Sequence, residues 1–279
     1  METPPPSPTT TVFLDAYRVD QPSPVVERWD AFLGRDDLPD LSQYAFAASA
    51  LYSSHLEEEE AAELLGEDAI YVPEADQEKS EEELGALCAA YRFAMDHDLG
   101  PDALLKAHRV LSVALPSSLR GAYRNGRMFV RGVGGGDGYA AIEPEHVPAA
   151  METFIADMDE LVGHELSVER AFYHASLLQA VFLHIHPFSN GNGRLARLLE
   201  KWFLASHLGP QAWAIPSEHH YWRNLKRYYA GLNRGTNYYY LYYGPGQKDA
   251  GGIIPFLSML PGALTDDEAI AAMNDAGTC

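Results

Sequence analysis

The residues with the clearest chemical potential form one run, His186-Pro187-Phe188-Ser189-Asn190-Gly191-Asn192-Gly193-Arg194-Leu195-Ala196-Arg197. Pro187 disfavours helical geometry at the residue before it, so the preceding helix should stop there and leave His186 at its lip. Gly191 and Gly193 open the next helix with no side chains over the backbone. The first four N–H groups of a helix have no internal acceptor, and the dipole there favours negative charge. Exposed amides, glycines and a helix start together make an anion cradle. Arg194 and Arg197 lie on a different stripe from Leu195, Leu198, Leu199, Trp202 and Phe203. Cations in a first turn oppose the dipole, which makes sense when an anion such as phosphate sits among them. An imidazole at the edge of such a cradle is suited to take a proton from an attacking hydroxyl. Each feature also has a plainer reading. A Gly-Asn-Gly run is commonly a turn, and His before Pro is commonly structural. His184 with His186 suggests a metal pair, although His184 falls inside the helix and no third ligand is evident nearby.

Periodicity predicts the elements that must position this run. Ser167 is a suitable N-cap for a helix through Ile185, in which Val168, Ala171, Phe172, Ala175, Leu178, Phe182 and Ile185 keep one apolar stripe. Further helices are expected over residues 80–97, 103–114, 148–161, 194–207 and 219–233, with a last short one at 253–260. Residues 24–65 read as helical with a break around 34–39, ending in the acidic run Glu57–Glu60. Between 120 and 142, glycines punctuate two short runs, Met128–Arg131 and Tyr139–Ile142, the composition of a small hairpin. The expectation is an all-α domain carrying one β-hairpin.

Composition narrows the partners. The chain has 279 residues, 47% of them apolar, and a net charge of −20 from 40 acids against 20 bases. So acidic a surface repels nucleic-acid phosphates and anionic lipid, so any anion site must be a local positive pocket. Cys88 and Cys279 are the only cysteines, which excludes a disulfide framework or a cysteine zinc site and fits a reducing compartment. The Pro/Thr-rich start has neither the basic residues nor the apolar run of a signal peptide, and no stretch is apolar enough to span a membrane. A cytoplasmic protein is expected.

The run 186–197 resembles the Fic motif, His-x-Phe-x-(Asp/Glu)-Gly-Asn-Gly-Arg-x-x-Arg, at every specified position except Asn190. The resemblance extends over roughly residues 45–260. Arg120–Gly132 looks like the flap that aligns the target chain, with Arg127, Met128, Phe129 and Val130 at its centre. Tyr228 and Tyr229 look like the nucleotide-side tyrosines. Ser53-Ser54-His55-Leu56-Glu57 resembles the inhibitory-helix motif of one Fic subclass, with Glu58 where Gly or Asn is usual. Composition gives a disordered arm over 1–11, and an N-terminal helical region (12–100) is expected after it, with the inhibitory helix that the resemblance implies at about 45–65. A Fic core (101–245) and a C-terminal segment (246–279) follow.

It also implies a function: transfer of AMP from ATP to a Ser, Thr or Tyr hydroxyl of a target protein, which can be the chain itself. His186 would be the general base, and Phe188 the anchor of the loop. Gly191, Asn192, Gly193, Arg194 and Arg197 would hold the phosphates, and Glu57 would pair with Arg197 to inhibit. The acidic motif position holds Mg²⁺ in the family. Asn190 offers only a neutral amide oxygen, a weak ligand for Mg²⁺ and one to which Mn²⁺ is better suited. Removal of AMP from a modified protein and an idle nucleotide-binding module are the alternatives, and a homo-oligomer stays open.

Overall fold

The computed structural model of the chain describes residues 8–38, 49–50, 52–53, 74–130, 139–233 and 252–275. Its elements in order are α1 (Leu14–Asp20), α2 (Val25–Leu33), α3 (Glu74–Met95), α4 (Pro101–Leu111), β1 (Phe129–Val130), β2 (Tyr139–Ala140), α5 (Val147–Val162) and α6 (Val168–Ile185). They continue with α7 (Asn192–Leu208), α8 (Ser217–Arg223), α9 (Leu225–Asn233), α10 (Ile254–Leu257), α11 (Met259–Gly262) and α12 (Asp267–Asp275). The fold is all-α with one antiparallel hairpin, in which Phe129 pairs with Ala140 and Val130 with Tyr139.

The helix that carries His186 lies at the centre. Ser167 caps α6 by accepting a hydrogen bond from the Arg170 N–H, and every residue from Ala171 to Ile185 is buried. A helix buried on all sides cannot be surface-amphipathic; it is the post around which others pack. Helices α2, α5, α10 and α11 surround it, and α7 makes the most extensive pairing with it. The other face of α7 receives α3, α4 and α5. Phe188, fully buried in the link between α6 and α7, stacks on His108 and leans on Tyr123 and Phe182. Truncating such a ring costs about 3–5 kcal/mol.

Three expectations are corrected. The helix foreseen over 219–233 breaks at Asn224, whose side-chain amide donates to the His220 carbonyl and competes with continuation of the helix. Of the arm foreseen over 1–11, residues 8–10 are held against α6. His174 Nδ1 donates to the Pro8 carbonyl at 2.9 Å and the Tyr173 hydroxyl to the Thr10 carbonyl at 3.0 Å. Cys88, buried on α3, is disulfide-bonded, and the other cysteine, Cys279, lies outside the described residues. Among the described residues no helix is long and apolar enough to cross a membrane.

Candidate active site

Helix α6 ends at His186, which takes the left-handed conformation (φ 50°, ψ 60°) while its N–H still bonds the Phe182 carbonyl at 2.9 Å. Among the described residues it is the one non-glycine with positive φ. A β-carbon in this region costs on the order of 1–3 kcal/mol and persists only where surrounding contacts hold it. Those contacts come from Arg124. Its Nε donates to the His186 carbonyl at 2.6 Å, and one terminal nitrogen donates to the carbonyls of Ile185 and Ile142. The other terminal nitrogen reaches the Gly126 carbonyl, and the Arg124 N–H bonds the Pro187 carbonyl. One buried guanidinium thus fixes the helix end, the motif loop and the base of the flap together.

The imidazole of His186 is half-buried, with Nδ1 3.3 Å from the Leu183 carbonyl oxygen. A carbonyl only accepts, so Nδ1 carries the proton in that bond and Nε2 is the basic nitrogen. His184, two residues back, is fully buried, and its Nε2 donates to the Leu232 carbonyl. Burial pulls its pKa down to about 4, so it is a neutral strut between α6 and α9. No group of three or more His, Cys, Asp or Glu side chains suited to a metal occurs among the described residues.

The loop after His186 is built by its own side chains. Asn192 accepts from the Phe188 N–H at 2.9 Å and donates to the Phe188 carbonyl at 2.8 Å, closing a ring around Ser189–Gly191. Its amide is therefore committed to loop shape. Gly191 is the N-cap of α7 with φ 79°, and a β-carbon there would stand 2.7 Å from Leu111 Cδ1. Only glycine fits, and it leaves the first turn of α7 without a capping side chain.

Both motif arginines are buried, Arg194 at 5% exposure and Arg197 at 1%. Arg194 donates to Asn190 Oδ1 at 2.9 Å and pairs with Glu83 on α3 at 3.3 Å. Arg197 donates from Nε to the Ser53 hydroxyl and from a terminal nitrogen to the Ser53 carbonyl, both at 2.8 Å. One turn further along α7, Lys201 reaches the Ser49 hydroxyl at 2.5 Å and pairs with fully buried Glu218 at 2.7 Å. Residues 49, 50, 52 and 53 are helical. A polar stripe on that segment, Ser49 and Ser53, thus meets the stripe Arg197 and Lys201 on α7.

Other expected site residues lie further out. In the flap, Arg127 is exposed and paired with Glu143, the Met128 carbonyl accepts from the Ala141 N–H, Phe129 is 59% exposed and Val130 is partly buried. Tyr228 and Tyr229, expected beside the nucleotide, are core residues, with Tyr228 packed between Tyr221 and Phe256. Glu57 lies outside the described residues.

Residues 98–204 match the sequence profile of the Fic/DOC family. Over those residues the chain is similar to the Fic/DOC family. Solved structures of similar fold include a Fic family protein from Desulfovibrio desulfuricans, at TM-score 0.66 and 21% identity, covering 100% of this chain and 79% of that one. A Fic-domain-containing signaling protein from Bacteroides thetaiotaomicron aligns at TM-score 0.52 and 20% identity, with 95% and 96% covered. A Fic-1 chain from C. elegans aligns at 0.54 and 16%, with 95% and 71% covered. No curated protein matches the sequence.

The motif is legible in the sequence; the residues that hold it in place are less so. Arg124, His108 and Glu83 contact residues of the motif, and Lys201 lies one turn beyond Arg197. Lys201 had a legible signal, four residues after Arg197 on the same helix face, whereas Arg124 is one of four arginines between residues 120 and 131 and nothing local sets it apart.

Proposed function

We propose that this Fic domain is a protein nucleotidyltransferase, moving AMP from ATP to a protein hydroxyl, in a state restrained by the segments N-terminal to it. The observation that carries the reading is His186, held in a strained left-handed turn with Nε2 as its basic nitrogen, beside a glycine-opened helix start and two buried arginines. A hydroxyl of the target would lose its proton to Nε2 as its oxygen bonds the α-phosphorus. The bond from that phosphorus to the bridging oxygen breaks, and pyrophosphate leaves. The first-turn amides of α7 with Arg194 and Arg197 would carry the negative charge on the leaving phosphates. Since the Asn192 side chain is occupied within the loop, its contribution would come from the main-chain N–H. The exposed edge of β1 around Phe129 suits an extended target chain.

When bound with the nucleotide, Mg²⁺ would supply charge neutralisation at the phosphates. At the motif's acidic position the loop offers it a neutral oxygen, Asn190 Oδ1, which already accepts from Arg194. That donor set suits a cation arriving with the nucleotide better than one held by the protein.

Restraint is supported by the arginines' present partners. Phosphate would compete with Glu83 for Arg194 and with Ser53 for Arg197. Glu57, four residues after Ser53 in the sequence, remains the proposed inhibitory acid.

The test is His186→Ala. Transfer should fall about 10²–10⁴-fold while nucleotide still binds, because the base touches the hydroxyl and not the phosphates. Transfer at the wild-type rate would remove His186 from the chemistry.

A further inference from the structure

His108 lies on the last turn of α4, fully buried, with its ring stacked on Phe188 at 3.6 Å and 14° between planes. Both ring nitrogens are engaged by main chain. The Gly121 N–H donates to Nδ1 at 2.8 Å. An amide N–H can only donate, so Nδ1 is unprotonated and a neutral ring carries its proton on Nε2. Nε2 is 3.0 Å from the Asn190 carbonyl oxygen and 3.0 Å from the Ser112 hydroxyl, two groups able to accept that proton. The protonation state is thus set by partners on both sides. Gly121 itself is in the left-handed region (φ 72°) and a β-carbon there would collide with Arg109, so the amide's direction is fixed by the backbone.

These two partners belong to different functional elements. Gly121 opens the segment that becomes the flap, three residues before Arg124. Asn190 immediately precedes Gly191, the N-cap of the anion loop. We propose that His108 is a positioning residue: as its Nε2–H tautomer it clamps the Gly121 amide and the Asn190 carbonyl, holding the flap base and the anion loop in one register. The proposal rests on the reading of that loop as a phosphate cradle. Rotation of the Asn190 carbonyl would turn the following peptide, and with it the N–H groups meant to face phosphate. Helix α4 adds Leu111 and Ser112 against Gly191, so the loop has a wall on one side and a hydrogen-bonded post at its start.

The full chain serves for the test. Nitrogen-15 spectra of the histidines at neutral pH should show one ring with Nδ1 unprotonated and Nε2 protonated in a fixed tautomer, lost in His108→Gln. A ring at this position protonated on Nδ1, or averaging between tautomers, would overturn the proposal. Two variants separate hydrogen bonding from packing. His108→Phe keeps the stack on Phe188 and leaves both main-chain groups without their partner. His108→Gln offers an oxygen and an N–H at a separation similar to that of the two ring nitrogens. Calorimetry with ADP should show a tenfold or greater loss of affinity in the Phe variant and recovery to within about threefold of wild type in the Gln variant. Amide exchange of residues 189–193 should quicken in the Phe variant alone. Wild-type affinity and exchange in His108→Phe would overturn the proposal, as would a Gln variant no better than the Phe variant. If His108→Phe does not fold, the tautomer and the Gln variant's exchange decide the matter. If wild type binds no ADP, the cradle reading fails, and the clamp is judged on tautomer and exchange alone.

Discussion

At the residue scale, Asn190 is the position where this chain departs from the Fic motif, and its contacts say what the departure does. A carboxylate there would bring a unit of negative charge beside the phosphates; the amide brings only an oxygen, which Arg194 already takes. Asn190→Asp should therefore tighten Mg²⁺ binding in the presence of nucleotide and raise transfer, and Mn²⁺ should favour the natural chain more than Mg²⁺ does. Titration of the metal against protein with ADP checks this. Unchanged affinity on Asn190→Asp would mean that residue 190 does not lie beside the phosphates. The same scale shows what the sequence made legible. His186, Gly191 and the two arginines could be read directly, because Pro187, the glycines and a helix start act locally. The commitment of the Asn192 side chain to Phe188 and the restraint of His186 by Arg124 were not legible: both depend on which main-chain carbonyls come within reach, and no local pattern encodes that.

At the scale of elements, α7 offers two buried arginines and a lysine, and the segments before the domain answer with Ser49, Ser53 and Glu83. Glu83 on α3 was not singled out from the sequence, because its helix carries many acids that read as a solvated face. Only the packing of α3 against α7 sets this one apart. A carboxylate at Arg194 should compete with phosphate, since charge-assisted bonds of this kind are worth about 1.5–3 kcal/mol. Glu83→Gln is expected to raise ADP affinity several-fold, with neighbouring Glu82→Gln near neutral. Equal gains from both would reduce the effect to bulk charge, and no gain from either would remove Glu83 from the site. The long helix expected over 219–233 failed at this scale for a local reason, the Asn224 side chain. The hairpin was legible from its glycines.

For the whole molecule, the acidic surface contrasts with a polar network sealed beneath α7. Lys201 and Glu218 pair there, the Tyr91 hydroxyl donates to Glu218 at 2.6 Å, and the Tyr221 hydroxyl donates to Glu200 at 2.5 Å. Burial pushes the Glu200 carboxyl from 4.5 up to about 8, against the opposing pull of the Tyr221 hydrogen bond. At neutral pH the folded chain then holds a proton that the unfolded chain has released. Stability from this group is full below about pH 4.5 and is lost as pH rises through about 8. The effect is on the order of a few kcal/mol. Urea titrations from pH 5 to 8.5 should show stability declining, and Glu200→Gln should flatten that decline. An identical slope in the variant would mean that Glu200 titrates normally. None of this was visible in composition, because net charge counts every acid alike and says nothing of which are inside. In the proposed function this scaffold makes a phosphate cradle with a base at its mouth, kept in check from the N-terminal side. It is tested most directly by incubating the full chain with ATP labelled at the α-phosphorus, with Mn²⁺ present. Wild type, Glu57→Gly and the Glu57→Gly, His186→Ala pair are compared for label retained on protein. Label is expected on Glu57→Gly well above wild type and absent from the pair. ATP bound by all three with no label on any would contradict the account.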